Sequence, residues 1–398
     1  MTNSSRNFLP YGRQQIDEDD ISAVTKVLRS DFLTCGPVID EFESAFAEKV
    51  GAPHSVVCSN GTAALHLASL AAGLGPGDSV IVPSVTFLAT ASSPHLTGAD
   101  VVFADVAPDT GLMTTDTFRA ALEKAKGAVK AVFPVHLNGA CVDLEPICEI
   151  SKSLGISVIA DACHALGATL RQKPIGDGKY SDMSVYSMHP VKTIAMGEGG
   201  AITTGDAALA EKLRAFRNHG MQRDPSAFTQ PDEAFDASGA PNPWYYEMPH
   251  PGLNYRASDI LCALGLSQLK KLDYFLQRRA EIAEKYDAVL APLADWLRPV
   301  TRVAECDGGW HLYPVLIDFD AIGKSRAQVM HELRAKNIGT QVHYLPVHRQ
   351  PYWRKRQPSL TLPGADAYYA RCLSLPIFPG MTEDDIQHIG SALKSLAD

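Results

Sequence analysis

Short β-rich runs alternate with helix-length segments along most of this chain, from Ile16 to about Leu269. The runs share an enrichment in Val, Ile and other strand-favouring residues, and they span 55–59, 79–85, 100–106, 131–137, 157–162 and 184–189. Each run is bounded by Gly, Pro, Asp or Asn and lies one helix length from the next. Because parallel strands need a long crossover connection, usually a helix, this alternation predicts a mainly parallel α/β sheet covered on both faces.

The pattern changes in residues 223–251, which are rich in Pro, Gly and Asp and predict a long loop of functional or interface importance. Residues 257–290 then predict one long helix that links two domains. From about Leu293 onward, strand-like runs at 311–318 and 340–345 alternate with helices. We therefore expect an N-terminal segment, 1–15, a large domain, 16–269, and a linking helix with a smaller C-terminal α+β domain, 270–398.

The composition narrows the classes of partner. The chain carries a net charge of −9 and no basic stripe, which argues against nucleic acid as a partner. Its richest apolar stretch, 63–74, is too short to cross a bilayer, and the N-terminus has no apolar signal core. The eight cysteines are dispersed, without metal-binding spacing. A cytoplasmic enzyme without a metal, a membrane or a nucleic acid is the prediction.

Three groups of residues follow strand ends, where open α/β sheets bind their ligands. The first, Ser59 to Ala64, lies at the end of the run 55–59 and opens an apolar helix. The free N–H groups and the positive dipole end of such a helix bind phosphate, and Gly61 allows close backbone approach. Simple helix capping by this Asn-Gly-Thr start is the alternative.

The second group is Asp161, at the end of the apolar run 157–162. A carboxylate on a buried strand end needs a cationic partner or several hydrogen-bond donors. A protonated pyridine nitrogen would be such a partner. Capping of the next helix by Asp161 explains the same position equally well.

The third group runs from Ser187 to Lys192 and precedes the Gly-rich turn 197–200. In a site of low polarity the pKa of a lysine falls from about 10.4, and the amine can then form an imine. The alternative for any one lysine is a solvated surface position.

The order of these groups resembles the layout of fold-type I pyridoxal 5'-phosphate enzymes. More specifically, the chain resembles the DegT/DnrJ/EryC1/StrS sugar aminotransferase family over nearly its whole length. The shared pieces include SNGTAALHLA, PSVTFLATA, DACHALGA, SMHPVKTIAMGEGGAITT, RNHGM, NYRASDILCALGLSQLKKL and QVHYLPVH. The S-x-H-x-x-K form and the segment PNPWYYEM are most similar to the branch that works in pseudaminic acid biosynthesis. The resemblance implies a fold-type I PLP-dependent transferase, with a mainly parallel seven-stranded sheet between helices and a smaller C-terminal α+β domain.

The resemblance also implies cofactor contacts. Lys192 would hold pyridoxal 5'-phosphate as a Schiff base, and Asp161 would bind its pyridinium nitrogen. The phosphate would be held by Gly61, Thr62, Ala63 and Ser187. Phe87 would stack on the ring and His164 would lie near its hydroxyl, although a core Phe and a hydrogen-bonded, half-buried His explain these positions too. Asn254 would reach the cofactor phosphate of a neighbouring subunit, which requires a homodimer with shared active sites.

Sugar-nucleotide contacts are expected from two segments and three further residues: Asp31, Phe32, Leu33 and Thr34; Gln341, Val342, His343 and Tyr344; and Tyr11, His189 and Arg256. The alternative for the segment 341–344 is a strand whose alternate residues pack the small domain, and Arg256 would serve the substrate or the interface. His348 is a further candidate neighbour of the sugar or phosphate. Met188, Ala195, Met196 and Cys35 depart from the family's usual residues, which leaves the exact sugar more open than the reaction.

The resulting prediction is a PLP-dependent transfer of an amino group from L-glutamate, which becomes 2-oxoglutarate, to C4 of a UDP-linked 4-keto-6-deoxy-N-acetylhexosamine. The first alternative is another nucleotide-linked keto-sugar, dTDP- or GDP-linked and 3- or 4-keto. A dehydratase of this fold would replace Lys192 by His, and an amino-acid aminotransferase would use a second keto acid. A non-catalytic regulatory or binding protein would have no reason to keep Lys192, Asp161 and Ser187 together.

Overall fold

The computed structural model describes residues 7–397; Asp398 and the first six residues of the predicted N-terminal segment lie outside the described residues. The strands, in chain order, are β1 (His54–Cys58), β2 (Ser79–Pro83), β3 (Asp100–Ala104), β4 (Val129–Val132), β5 (Ser157–Asp161), β6 (Thr169–Leu170), β7 (Lys173–Pro174), β8 (Met183–Ser187), β9 (Gly200–Thr204), β10 (Leu297–Pro299), β11 (Cys306–Asp307), β12 (Tyr313–Ile317) and β13 (Cys372–Leu375).

The helices, in the same order, are α1 (Glu18–Leu28), α2 (Pro37–Val50), α3 (Gly61–Ala71), α4 (Leu88–Leu96), α5 (Thr115–Lys124), α6 (Leu144–Leu154), α7 (Ala207–Arg217), α8 (Pro231–Ala234), α9 (Asp259–Leu269), α10 (Leu272–Leu290), α11 (Arg326–Ala335), α12 (Pro351–Arg356), α13 (Pro363–Arg371) and α14 (Glu383–Lys394). Among the described residues, none of these helices combines the length and the apolarity needed to cross a membrane.

A seven-stranded sheet forms the centre of the molecule, in the order β1-β9-β8-β5-β4-β2-β3. Neighbouring strands from β8 to β3 run parallel, whereas β9 is antiparallel to both β8 and β1. This confirms the predicted mainly parallel sheet, and each of the six predicted runs overlaps one of its strands. The seventh strand, β9, was not predicted, because its Gly-rich start reads as a turn in the sequence. A three-stranded antiparallel sheet, β10-β12-β13, lies in the C-terminal part.

The sheet is covered by helices that the sequence begins and ends in recognisable ways. Asn60 caps α3, and its side chain accepts a hydrogen bond from the Ala63 amide. Helix α2 begins with Pro37 and ends before Gly51, which has the left-handed φ of 73° that favours glycine at a helix end. Helix α3 is apolar and buried on most sides, as expected for a helix packed between the sheet and other helices.

The single linking helix predicted over 257–290 is wrong, because the structure has two helices there, α9 and α10, with a break at residues 270–271. The break coincides with a change of packing partner: α9 packs against α1 and α2, whereas α10 packs against α14. At the break, Lys271 contacts the carboxylates of Asp17 and Asp20, which hold the end of α9 against the start of α1.

The strand predicted over 340–345 is also wrong. Only Gln341 pairs with Ser374 of β13, and the following residues leave that ladder. The side chain of His343 bonds the Ser374 hydroxyl at 2.9 Å, and Tyr344 bonds His164 of the other part of the chain at 3.1 Å. Side-chain hydrogen bonds to Ser374 and to His164 therefore replace the strand pairing that the apolar alternation predicted.

Two further segments shape the surroundings of the sheet. Residues 223–251 are mainly irregular, with the short α8 inside them, and Glu247 anchors them by accepting hydrogen bonds from the amides of Thr229 and Gln230. Near the N-terminus, Leu9 exchanges backbone hydrogen bonds with residues 337 and 339, and the carbonyl of Tyr11 accepts from Ile377. These bonds fix the start of the described chain on the C-terminal part.

Candidate active site

A cavity of about 860 Å³ opens where the parallel strands β2, β4, β5 and β8 end. It brings together most of the residues that the sequence singled out: Tyr11, Gly61, Thr62, Ala63, Phe87, Asp161, His164, Ser187, His189, Lys192, Gln341, Val342, His343 and Tyr344. Residues 341–344 belong to the C-terminal part, so both parts of the chain form the wall of the cavity. Position at the carboxyl ends of parallel strands is typical of ligand sites in α/β proteins.

The first residues of α3 form one end of the cavity. The amides of Gly61 and Thr62 lie in the first turn, where a helix leaves N–H groups without internal acceptors. A Cβ added at Gly61 would lie only 2.8 Å from the Cβ of Ser187, so a side chain there would collide with β8. Asn60 accepts from the Ala63 amide at 2.8 Å, so the capping alternative is also present and already uses that N–H group. The remaining amides and the Ser187 hydroxyl can hold a phosphate.

The carboxylate of Asp161, at the end of β5, is almost fully buried in the cavity wall. One oxygen accepts a hydrogen bond from the Thr90 hydroxyl at 2.7 Å, and the other accepts from the Cys163 amide at 3.1 Å. Thr90 in turn contacts the Thr86 hydroxyl at 2.8 Å. Within residues 7–397 no ion pair involves Asp161, so a buried carboxylate faces the cavity with room for a cationic ligand.

Lys192 lies in the connection between β8 and β9, and its amide donates to the carbonyl of His189 at 2.8 Å. Burial lowers the pKa of the Lys192 amine below its usual value, against the opposing effect of Cys163 and Asp161. A lowered pKa increases the neutral fraction of the amine, and only that form attacks carbonyl carbon. Lys192 is half-buried and lines the cavity, unlike a fully exposed surface lysine.

The ring of His164 is buried beside Asp161 and has a partner at each nitrogen. Its Nδ1 accepts from the Asn138 amide at 3.2 Å, and its Nε2 lies 3.1 Å from the Tyr344 hydroxyl. Burial, followed by the nearby Lys192 and His343, holds the pKa of His164 well below its usual value. The structure therefore combines both interpretations of this residue: it is hydrogen-bonded and buried, and it also lines the cavity.

The opposite wall of the cavity carries aromatic groups. Phe87 is 54% exposed, and its ring lies 6.0 Å from that of Tyr344, so it is not a core residue. The ring of His343 lies 5.4 Å from Tyr11, and burial lowers the pKa of this histidine to about 3. His189 is exposed at the mouth of the cavity.

The remaining predicted contacts lie outside this cavity. Residues 31–34 form an exposed turn before α2, held by a hydrogen bond from the Asp259 amide to the carbonyl of Leu33. Asn254 is exposed and pairs with Asn218. Arg256 also bonds the Asn218 side chain and lines a second cavity of about 520 Å³. His348 is buried outside the main cavity, where its Nδ1 lies 2.6 Å from the Ser84 hydroxyl.

Sequence reasoning missed several residues of the site. Thr90 was not singled out, although its spacing of one helical turn from Thr86 in the piece PSVTFLATA could have indicated a paired role. Asn138 has a left-handed φ of 64°, which directs its amide to His164, and nothing in the sequence announces this contact. Cys163, Glu198 and Tyr255 also line the cavity. Among the described residues, no cluster of His, Cys, Asp or Glu could hold a metal ion.

This chain is similar in sequence and in structure to known proteins. A family model described as the DegT/DnrJ/EryC1/StrS aminotransferase family matches residues 14–394. The spore coat polysaccharide biosynthesis protein SpsC of Bacillus subtilis (strain 168) is 37% identical over 402 residues, covering 100% of this chain and 99% of SpsC.

Two solved structures are similar over nearly the full chain. Helicobacter pylori PseC, an aminotransferase involved in the biosynthesis of pseudoaminic acid, is 29% identical with a TM-score of 0.87, covering 98% of this chain and 99% of PseC. DesI, crystallised in the presence of its TDP-sugar product, is 30% identical with a TM-score of 0.85, covering 99% of this chain and 93% of DesI.

Proposed function

Because this chain belongs to the DegT/DnrJ/EryC1/StrS aminotransferase family, we propose that it transfers an amino group from L-glutamate to C4 of a UDP-linked 4-keto-6-deoxy-N-acetylhexosamine. Aminotransferases of this family depend on pyridoxal 5'-phosphate, which is therefore the cofactor. The observation that carries the proposal is the meeting of Lys192, Asp161 and the first turn of α3 in one cavity. The similarity to PseC supports a sugar of the pseudaminic acid pathway.

The groups of the site fit this cofactor. The Gly61 and Thr62 amides and the Ser187 hydroxyl would bind its phosphate at the first turn of α3. The Asp161 carboxylate would accept a hydrogen bond from its protonated ring nitrogen, while Thr90 and the Cys163 amide hold that carboxylate in place. The exposed ring of Phe87 would cover one face of the cofactor.

When bound, the cofactor supplies an aldehyde that combines with amines and a ring that takes up an electron pair. Lys192 would first hold the cofactor covalently. Once released, its neutral Nζ would take a proton from the α-carbon of the amino donor and would deliver that proton to a different atom, the carbon that had carried the cofactor's aldehyde. Burial favours that neutral amine, because it lowers the pKa of Lys192. Asp161 would keep the ring nitrogen protonated throughout.

Residues of the C-terminal part would bind the sugar nucleotide across the cavity. These are Gln341, Val342, His343 and Tyr344, together with Tyr11 and His189. His343 would act as a neutral hydrogen-bonding group, since burial lowers its pKa to about 3. The amino group taken from L-glutamate would stay in the cavity, while 2-oxoglutarate would leave it before the keto-sugar enters.

The enzyme would be a homodimer that shares its sites between subunits. The exposed turn 31–34 and the exposed Asn254 support this part of the proposal, since neither faces the cavity of its own chain. Arg256 would support the substrate or the interface. A cytoplasmic location is supported by the eight cysteines, all of which are free thiols.

Complementation between subunits tests the shared site. Lys192→Ala and Asn254→Ala homodimers should each lose most activity. A hybrid of the two variants should regain activity, because one of its two sites combines the intact lysine of one subunit with the intact asparagine of the other. Hybrids no more active than the parent variants would exclude a site shared through Asn254.

A second candidate is transamination of another nucleotide-linked keto-sugar, which the similarity to DesI and its TDP-sugar favours. The two candidates are separated by presenting UDP-, dTDP- and GDP-linked keto-sugars to the purified enzyme with L-glutamate and measuring kcat/KM for each. Preference for the UDP-linked 4-keto-6-deoxy-N-acetylhexosamine is expected, and a higher kcat/KM for a dTDP-linked sugar would transfer the proposal to the second candidate.

The role of Lys192 is tested separately by visible absorbance. Lys192→Ala should lose the covalently held cofactor and the aminotransfer, whereas the exposed Lys126→Ala should retain both. Aminotransfer at an unchanged rate by Lys192→Ala would overturn the assignment of the lysine.

A further inference from the structure

His164 is in its neutral form with one defined proton. A backbone amide can only donate, so the Asn138 N–H that points at Nδ1 requires that nitrogen to be an acceptor without a proton. The single ring proton then resides on Nε2, which is 3.1 Å from the hydroxyl of Tyr344. Nε2–H is therefore the donor in this contact and the tyrosine oxygen is the acceptor.

The hydroxyl proton of Tyr344 must then point away from His164. Tyr344 lines the cavity, and within residues 7–397 its oxygen has no other hydrogen-bond partner. Burial raises the pKa of Tyr344 well above its usual value, with Asp161 next in effect, so the phenol keeps its proton. A phenolic O–H directed into a cavity is a hydrogen-bond donor that can bind an acceptor atom of a ligand.

We propose that Tyr344 donates a hydrogen bond to an oxygen of the bound ligand, and that the Asn138 amide and His164 fix the direction of this donor. The acceptor is an anionic or carbonyl oxygen, carried either by the cofactor ring or by the sugar. Tyr344 is the group that touches the ligand, and His164 is a positioning residue that acts through it. The inference rests on the proposed function only for the identity of the sugar, because the cofactor offers an oxygen of its own.

The direction of the donor has a physical consequence for binding. A donor whose proton already points into the cavity needs no reorientation when the ligand arrives, and a buried hydrogen bond to a charged oxygen strengthens binding by about 10- to 150-fold. Without the Asn138 hydrogen bond, the ring proton of His164 could reside on Nδ1. The unprotonated Nε2 would then accept the tyrosine proton, which would turn away from the cavity. The ligand oxygen would then face a lone pair.

The first test measures two affinities in the isosteric variant Tyr344→Phe. One is the affinity of the apoenzyme for pyridoxal 5'-phosphate, followed by absorbance. The other is the affinity of the holoenzyme for UDP-N-acetylglucosamine, followed by calorimetry. We expect one of the two to weaken about 10- to 150-fold, which identifies the source of the acceptor oxygen. Both affinities remaining within twofold of wild type would overturn the proposal.

The second test separates positioning from simple packing. His164→Leu should weaken the same affinity as Tyr344→Phe, whereas His164→Gln should largely retain it, because a Gln amide can accept from Asn138 and donate to Tyr344. In a Tyr344→Phe background the Leu and Gln variants should bind equally. Equal losses from His164→Leu with and without the Tyr344 hydroxyl would show that His164 does not act through it.

A matched control removes a different buried phenol. Tyr286 donates to the carbonyl of Pro376 at 2.8 Å and does not line the cavity, so Tyr286→Phe should lower stability without changing either affinity. The cofactor titration needs no sugar substrate, so its outcome for Tyr344 is the same whichever sugar the enzyme uses.

Discussion

Gly61 packs so closely against β8 that Gly61→Ala should weaken cofactor binding, and the expected loss of affinity follows from one distance. A methyl group in Gly61→Ala would lie 2.8 Å from the Cβ of Ser187 and 3.5 Å from the sulfur of Cys163. Carbon atoms in contact prefer separations of about 3.5–4.0 Å, so α3 and β8 must move apart by roughly 0.7–1.2 Å. The first turn of α3 would move with them.

That movement should be felt by a bound phosphate. An N–H···O hydrogen bond of about 2.9 Å would lengthen to roughly 3.6–4.1 Å, beyond the range of useful hydrogen bonds. Loss of one such bond to a charged oxygen costs about 1.5–3 kcal/mol, which weakens cofactor binding about 10- to 150-fold. Titration of the Gly61→Ala apoenzyme with pyridoxal 5'-phosphate, followed by visible absorbance, measures this change.

Gly75→Ala is the matched control, since no heavy atom lies within 4 Å of the added Cβ. It should bind the cofactor like the wild type. The unfolding temperatures of both apoproteins show how far the collision destabilises the fold as a whole. If Gly61→Ala bound the cofactor within twofold of wild type with an unchanged unfolding temperature, the first turn of α3 would not be the phosphate site.

Three other changes test separate parts of the structure. Thr90→Val should weaken cofactor binding about tenfold, because Asp161 loses its 2.7 Å hydrogen bond; unchanged binding in the same titration would contradict this. Burial lowers the pKa of His136 to about 4 and of His343 to about 3, so the unfolded chain takes up protons first as the pH falls. The contribution of these two histidines to the free energy of unfolding in urea should therefore be fully present above about pH 6.5. Below that pH it should fall by up to ~1.4 kcal/mol per pH unit for each histidine, and equal free energies of unfolding at pH 7.5 and 5.5 would refute this. Glu247→Gln should speed proteolysis within residues 223–251, because Glu247 gathers the amides that anchor this segment, and unchanged cleavage rates would show other anchors to be sufficient.

The sheet and the cofactor groups could be predicted because the sequence states them locally. A strand run followed by Asp161, and a strand run followed by Asn60 and Gly61, each place their residue at a strand end without knowledge of the rest of the chain. The same local reasoning failed for β9, whose start is as rich in glycine as the turn before it. A glycine is required there by close packing, since a Cβ at Gly200 would lie 2.4 Å from the carbonyl of Asn60.

The rest could not be predicted because it depends on contacts between distant parts. The apolar alternation of residues 340–345 favours a strand, but His343 and Tyr344 bond Ser374 and His164, residues far away in the sequence. The continuous helical pattern of 257–290 likewise carries no signal of the break at Lys271, which coincides with a change of neighbours. The periodicity of apolar residues indicates which face of an element is buried, but it does not indicate which element that face packs against.

The antiparallel pairing of β8 with β9 makes the surroundings of Lys192 a product of local folding. Ser187 pairs with Gly200, so only residues 188–199 have to be closed into a loop, and short loops lose little chain entropy on closure. Asp161 and the first turn of α3 are joined instead through strands that are distant in sequence. We therefore expect the lysine loop to keep its amide protons against exchange when other parts of the sheet have already opened. Mutations in the outer strands would then displace the cofactor's other contacts while the lysine stays in its place.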